Sequence, residues 1–367
     1  MTDPKVTVVV PAYNNETVIR ECLDSIVGQT LKDIEIIIVD DESTDKTFDI
    51  AKEYEASDSR VKAFRQKHSN AGEARNYGLS MAKGKYLVFW DSDDTFEQSA
   101  LEKLYDKTSS TDADVCICDA DKRDTITGRI YKKNVFLSKE LIPQKEVFNR
   151  TDFTEKFLIL TTNHPWNKMY RRDFILENQL QFQSVPKAND VYFVMMALSL
   201  ANRITILNER LIHYRSNYSG SITRTGTTSP MHVFSAYECV KEELSKRGIY
   251  DELANDIINK AFSSYSHALN MQCEIENSKY FDEMYEYIKG DALTKLGYID
   301  GKTIWYDESK KELYDRIRNG SREDYLFYYI RELVGRNDRV NKKLSAANDK
   351  ISAYEKTLFY KVWRKLK

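Results

Sequence analysis

Over the first 120 residues, solidly apolar runs alternate with segments of helical spacing. Residues 6–10 form a β-branched run closed by Pro11, and 34–39 (IEIIIV) form a second. Residues 61–64, 86–90 and 114–118 read as three further strands. Between them the apolar positions recur every three or four residues, as at Val18, Ile19, Cys22, Leu23 and Ile26, which predicts helices over 17–29, 45–55, 71–82 and 98–107. Strands without polar alternation are buried on both faces, and strands separated by helices pair in parallel. The pattern therefore predicts an α/β fold with a mainly parallel central sheet between helical layers. Residues 120–160 carry no clear period, and 163–225 are polar and aromatic with short elements. From 230 onward long amphipathic helices take over, as in 232–247 and 252–271. Three parts are expected: 1–225, a helical region over 226–335, and a tail over 336–367.

The tail has a pattern of its own. Val340, Leu344, Ala347, Ile351, Tyr354 and Leu358 are spaced 4, 3, 4, 3, 4, as in a coiled-coil seam. Residues 339–367 hold nine Lys/Arg against two Asp/Glu, or +7, so with −2 overall the remainder carries −9. Besides a solvated helix, two readings stand for this segment: a homodimer through the C-terminal helices, and a basic-aromatic end lying on anionic membrane.

Composition narrows the class. A net charge of −2 excludes a nucleic-acid binder of the basic kind, and 41% hydrophobic residues suffice for a large core. Five cysteines make neither a disulfide framework nor a zinc set, and Cys116 and Cys118 read as core thiols, which suits a reducing cytoplasm. The N-terminus carries Asp3 and too short an apolar run for a signal peptide. No run approaches the ~20 apolar residues of a membrane span. A cytoplasmic location is expected.

The chemistry is concentrated after the strands. In such sheets ligands bind at the carboxyl ends, and there the sequence places PAYNN, DDEST and DSDD. Three carboxylates in four residues (Asp91, Asp93, Asp94) repel one another unless a cation joins them. Hard oxygen ligands of this kind suit Mg²⁺ or Mn²⁺. The competing reading is a solvated turn with Asp94 capping the next helix. Asn70-Ala71-Gly72-Glu73-Ala74-Arg75 opens a helix whose N-terminus favours anions. No GxGxxG follows the first strand and no GxxxxGK[ST] occurs, which removes dinucleotide-dehydrogenase and P-loop readings.

PAYNN, IVDDEST, NAGEARNYGLSMAKGKY and VFWDSDD, in this order and spacing, resemble family 2 glycosyltransferases, with a looser likeness to about residue 225. The resemblance implies the type A glycosyltransferase fold, an αβα sandwich that binds a nucleotide-sugar. It implies a metal-dependent, inverting transfer of a hexosyl or N-acetylhexosaminyl group, with UDP the commonest donor nucleotide. The acceptor would be a hydroxyl of a glycan or lipid-linked molecule in bacterial polysaccharide or cell-wall synthesis. Pro11, Ala12 and Tyr13 would line the nucleoside pocket, with Asp40 on the base and Arg75 nearby. Asp91 and Ser92 would meet the donor, and Asp93 would ligate Mn²⁺ or Mg²⁺, with His213 a further ligand. Asp190, from the family's acidic dipeptide, would be the base; its neighbour is Asn189 where the family usually has Glu. Trp166, Asn167, Lys168 and Asn189 would contact acceptor or sugar. Arg215 and Ser221 fall on the family's segment over the diphosphate.

Three rivals remain: a nucleotide-sugar-binding protein without transfer, motivated by Asn189; a nucleotidyltransferase, which would carry a Gly-rich basic loop that PAYNNET lacks; and an assembly protein, which leaves the clustered acids unexplained.

Overall fold

The computed structural model describes residues 3–131, 136–216, 230–274 and 278–366. Strands β1 (Val6–Ala12), β2 (Ile34–Asp40), β3 (Val61–Arg65) and β4 (Tyr86–Phe89) lie in the order β3-β2-β1-β4, all parallel. They are joined by α1 (Ile19–Val27), α2 (Thr47–Ser57) and α3 (Ala71–Met81). Every residue of β1 and β4 is buried, as runs without polar alternation require. Period-2 alternation still sorts their side chains. Val6, Val8 and Val10 join α1, α2 and the helix at Ala100–Ser110 in one core, while Val9, Leu87 and Phe89 join α3 and the helix at Asn189–Leu200 in the other.

The rest of the sheet is mixed. β5 (Thr95–Phe96), α4 (Ala100–Ser110) and β6 (Val115–Asp124) follow β4, then the short β7 (Ile130–Tyr131) and β8 (Val147–Phe148). β9 (Lys168–Arg171) inserts antiparallel between β4 and β6, leading into α5 (Arg172–Glu177) and α6 (Asn189–Leu200). β10 (Ile204–Ser216) runs parallel to β6 with two register shifts and pairs antiparallel with β5 at the edge. The αβα sandwich is thus present, with β9 reversed inside a mainly parallel sheet and the short β5, β7 and β8 antiparallel to their neighbours. The five cysteines are free thiols, with Cys116 and Cys118 buried in β6.

Helices α7 (His232–Lys246), α8 (Tyr250–Glu274), α9 (Ser278–Lys289), α10 (Ala292–Lys295) and α11 (Glu308–Asn319) build outward from α6. Phe193 and Val194 of α6 and Phe234, Tyr237 and Val240 of α7 belong to the same core as Phe89, so sheet and helices are packed as one body. The last helix, α12 (Arg322–Leu366), is anchored by the buried Tyr325 and Tyr329. It continues through the expected boundary at 335/336; the one at 225/226 lies outside the described residues. No described helix is long and apolar enough to cross a membrane.

Candidate active site

The loops after β1, β2 and β4 are laced together at the carboxyl edge of the sheet. Asn14 takes a left-handed conformation (φ 49°), donates its N–H to Ser43 Oγ (2.9 Å) and accepts from Thr44 N at its Oδ1 (2.8 Å). Asn15 donates from Nδ2 to Ser92 Oγ (2.7 Å). The consecutive asparagines of PAYNN therefore fix the DDEST and DSDD loops against β1, a role the sequence reading missed. Ser92 itself departs from expectation: its hydroxyl is buried against Asn15 and braces the loop instead of presenting to a donor.

Within DSDD, one carboxylate oxygen from each of Asp91, Asp93 and Asp94 lies within 4.8 Å of the others. Asp94 caps no helix. It is fully buried, accepts from Arg215 N (2.7 Å) at Oδ1, and leaves Oδ2 buried with no hydrogen-bond partner among the described residues. Burial, with repulsion from Asp93 and Asp91, holds its carboxyl well above the usual range. Asp93 is pushed up to about 6, chiefly by burial and then by Asp91, against the pull of Arg215 and Arg75. Two guanidinium groups flank the cluster. Arg215 donates from Nε to the Asp93 carbonyl (2.6 Å) and pairs with Glu21, so it sits against the acids from β10.

Arg75 is the second, and it ties the acids to α6. Its Nη2 donates to Asp91 Oδ1 (2.6 Å) and its Nη1 to Asn189 Oδ1 (2.9 Å), over the ring of Phe182. The local sequence explains the placement. Asn70 caps α3 by accepting from Glu73 N (3.0 Å), and Gly72 lets the α3 start press against α6. A Cβ at Gly72 would fall 2.3 Å from the Gln183 carbonyl and 3.0 Å from Asn189 Cβ. Asn189, expected to touch acceptor or sugar, has both amide ends committed, since Nδ2 donates to Val185 O (3.2 Å).

Asp190 follows directly. Its carboxylate is half-buried at the start of α6. Burial raises its pKa, and the nearby Arg75 charge partly offsets that.

On the nucleoside side, Tyr13 stacks on the half-exposed His68 ring (centroids 4.6 Å, 25°). His68 is held by Asp41, and spacing gave no signal for it. Pro11 and Ala12, expected to line the pocket, are buried at the end of β1, with Ala12 in the α1-side core. Asp40 is fully buried. Its Oδ2 accepts from Ser43 N (3.1 Å) and Arg65 Nε (2.7 Å), and its Oδ1 is buried without a hydrogen-bond partner among the described residues.

Four expectations are corrected. His213 is not free to ligate a metal: Nε2 lies 2.9 Å from Glu97 and Nδ1 2.9 Å from Asp121. Trp166 offers no face to a sugar, being fully buried with its ring stacked on Tyr214 (5.7 Å, 15°) and edged by Phe136. Asn167 is buried, donating to Cys118 O (2.9 Å). Lys168 is buried with Nζ on Thr162 O, His164 O and Asn167 Oδ1 at 2.8–3.0 Å, and burial holds its pKa well below the ordinary value. HPWNK is therefore a structural brace under β9. Ser221 lies outside the described residues.

A mainly parallel sheet with an acidic turn after a central strand, and a carboxylate at the start of a facing helix, defines the type A glycosyltransferase class. The profile of "Glycosyl transferase family 2" matches residues 7–177. The glycosyltransferase GlyG of Streptococcus pneumoniae is 35% identical over 224 residues, 60% of this chain and 73% of GlyG. GlyA of the same species is 33% identical over 234 residues, covering 63% of this chain, which spans only 33% of GlyA. The crystal structure of Staphylococcus aureus TarS 1–349 in complex with UDP-GlcNAc superimposes with a TM-score of 0.64 at 21% identity, covering 88% of this chain and 89% of that one. The chain belongs to glycosyl transferase family 2.

Proposed function

We propose that this chain transfers a sugar from a nucleotide-sugar, a UDP-sugar first, to a hydroxyl of a glycan or lipid-linked acceptor in cell-wall or polysaccharide synthesis. The observation that carries the reading is Arg75, one guanidinium bonded both to Asp91 of the acidic turn and to the residue before Asp190. It supports a reading in which the diphosphate and the proton acceptor lie on either side of one fixed cation. The UDP-GlcNAc complex of TarS supports the choice of donor.

The residues present fit a divalent ion. Three hard oxygen donors converge, one of them at a pKa of about 6 and another leaving an orphaned buried oxygen, and a cation would relieve both. Asp93, with Asp91 and Asp94, would hold Mg²⁺ or Mn²⁺, and such an ion would supply Lewis-acid charge beside the leaving diphosphate.

The chain's own residues do the rest. The Tyr13–His68 stack offers an outer ring face to the base, and Asp40 Oδ1 takes a base N–H. Arg75 fixes the direction of the Asp91 carboxylate. Asp190 takes the proton of the acceptor hydroxyl as its oxygen bonds to the anomeric carbon, while the bond from that carbon to the diphosphate oxygen breaks with inversion. Residues 1–225 form the catalytic part, followed by the helical region and the tail. The basic end of the tail touches anionic membrane on its cytoplasmic side.

The second reading, donor binding without transfer, is favoured by Asn189, which is neutral where the family usually has an acid. In this structure the neutral amide leaves Asp91 as the carboxylate that Arg75 bonds directly, and Asp190 is still present beside it. The test is nucleotide release from UDP-, GDP-, CMP- and dTDP-sugars with Mn²⁺, Mg²⁺ or EDTA, in the presence of crude glycolipid. Metal-dependent release from one donor with a product of inverted anomer supports transfer. Donor binding without release under every condition favours the second reading.

A further inference from the structure

Helix α12 leaves the body as a rod. Every described residue from 336 to 349 is exposed, so nothing among the described residues covers that stretch. A lone helix in water is stable only when tertiary packing covers an apolar face. Its apolar face begins well before the tail: Ile330, Val340 and Leu344 are 56–60% exposed and Leu333 is 38% exposed. With Asn337 these positions are spaced 3, 4, 3, 4, and the sequence carries the same spacing on to Leu358. The repeat thus spans four heptads, with Ile330, Asn337 and Leu344 at a and Leu333 and Val340 at d.

We propose that the occupant of this face is a second copy of the chain, in a parallel, in-register two-stranded coiled coil along α12. Two observations select that occupant. A single Asn among apolar seam residues finds its partner in the same Asn of an aligned copy; against lipid or an unrelated apolar groove it would be buried unsatisfied. Charge sets the direction. Arg336 occupies a g position, and in sequence Lys343 and Lys350 occupy the next two, while the e positions five residues on are Asn341, Asn348 and Glu355. A parallel pair sets each cation opposite an amide or a carboxylate. An antiparallel pair sets cation against cation. The parallel arrangement also brings both catalytic bodies to one end of the rod and both basic tips to the other.

The test is sedimentation velocity of the full chain with non-reducing electrophoresis of Asn337→Cys. The wild type is expected to be a dimer at micromolar concentration. Leu344→Asp is expected to weaken association at least ~100-fold while leaving the unfolding transition of the body and nucleotide binding unchanged. Asn337→Cys is expected to cross-link to a covalent dimer under mild oxidation, beyond any background from the native thiols. A wild type that stays monomeric at ~100 µM, alone or while floating with phosphatidylserine vesicles, overturns the proposal. So does a dimer that survives Leu344→Asp, or one in which Asn337→Cys adds no cross-link.

Discussion

Burial raises the pKa of Asp190, and the Arg75 guanidinium pulls it part of the way back. A carboxyl whose folded pKa exceeds its unfolded one contributes stability that is fully present below the unfolded pKa and is lost as pH rises through the folded one. Asp190→Asn is therefore expected to melt higher than wild type at neutral pH, with the gap closing as the buffer is acidified; calorimetric scans across pH measure this. The same substitution is expected to lower transfer by ~10²–10⁴-fold, the range of a lost general base. Wild-type kcat should rise with pH through an acid limb displaced above that of an ordinary aspartate. Arg75→Lys is a different kind of change, because an ammonium cannot hold Asp91 and Asn189 in one planar fork. A fall in kcat/KM of at least ~10-fold is expected, read from initial rates.

At the scale of elements, the site exists because α3 and α6 start close together, and Gly72 permits that. Gly72→Ala places its Cβ against the Gln183 carbonyl and is expected to destabilise the fold by ~1–3 kcal/mol, measured by urea unfolding, with a larger proportional loss of transfer. Lys168→Met strands three acceptors below β9, one buried and two part-buried, and is expected to cost ~2–4 kcal/mol in the same measurement. The strands that position the loops, β1, β2, β4 and β6, were legible because burial on both faces leaves an unbroken apolar run. β9 and β10 were not, since KMYR is too short to show a period and ITILNERLIHYRS is interrupted at NER, where the pairing shifts register. The clustering of the acids was legible where residue types cluster in sequence, as in DSDD. Chemistry was misread where a single polar or aromatic residue has to be told from a buried one, as at His213 and Trp166. Spacing says nothing of Glu97, Asp121 or Tyr214, which meet them only after folding.

Over the whole molecule, sheet and helices share one core, so the helical region is part of the fold that holds Asp190. A chain ended at residue 225 would uncover the α6 face that Phe234, Tyr237 and Val240 bury. It is expected to lose cooperative unfolding and to aggregate, which light scattering and thermal scans would record. If the acidic turn binds the donor diphosphate while Asp190, across Arg75, performs the chemistry, the two roles separate in calorimetric titration with UDP, in Mn²⁺ and in EDTA, on wild type, Asp93→Ala and Asp190→Asn. Binding is expected to depend on metal, to be abolished in Asp93→Ala and to be retained in Asp190→Asn. Equal binding in EDTA, or in Asp93→Ala, would contradict that separation.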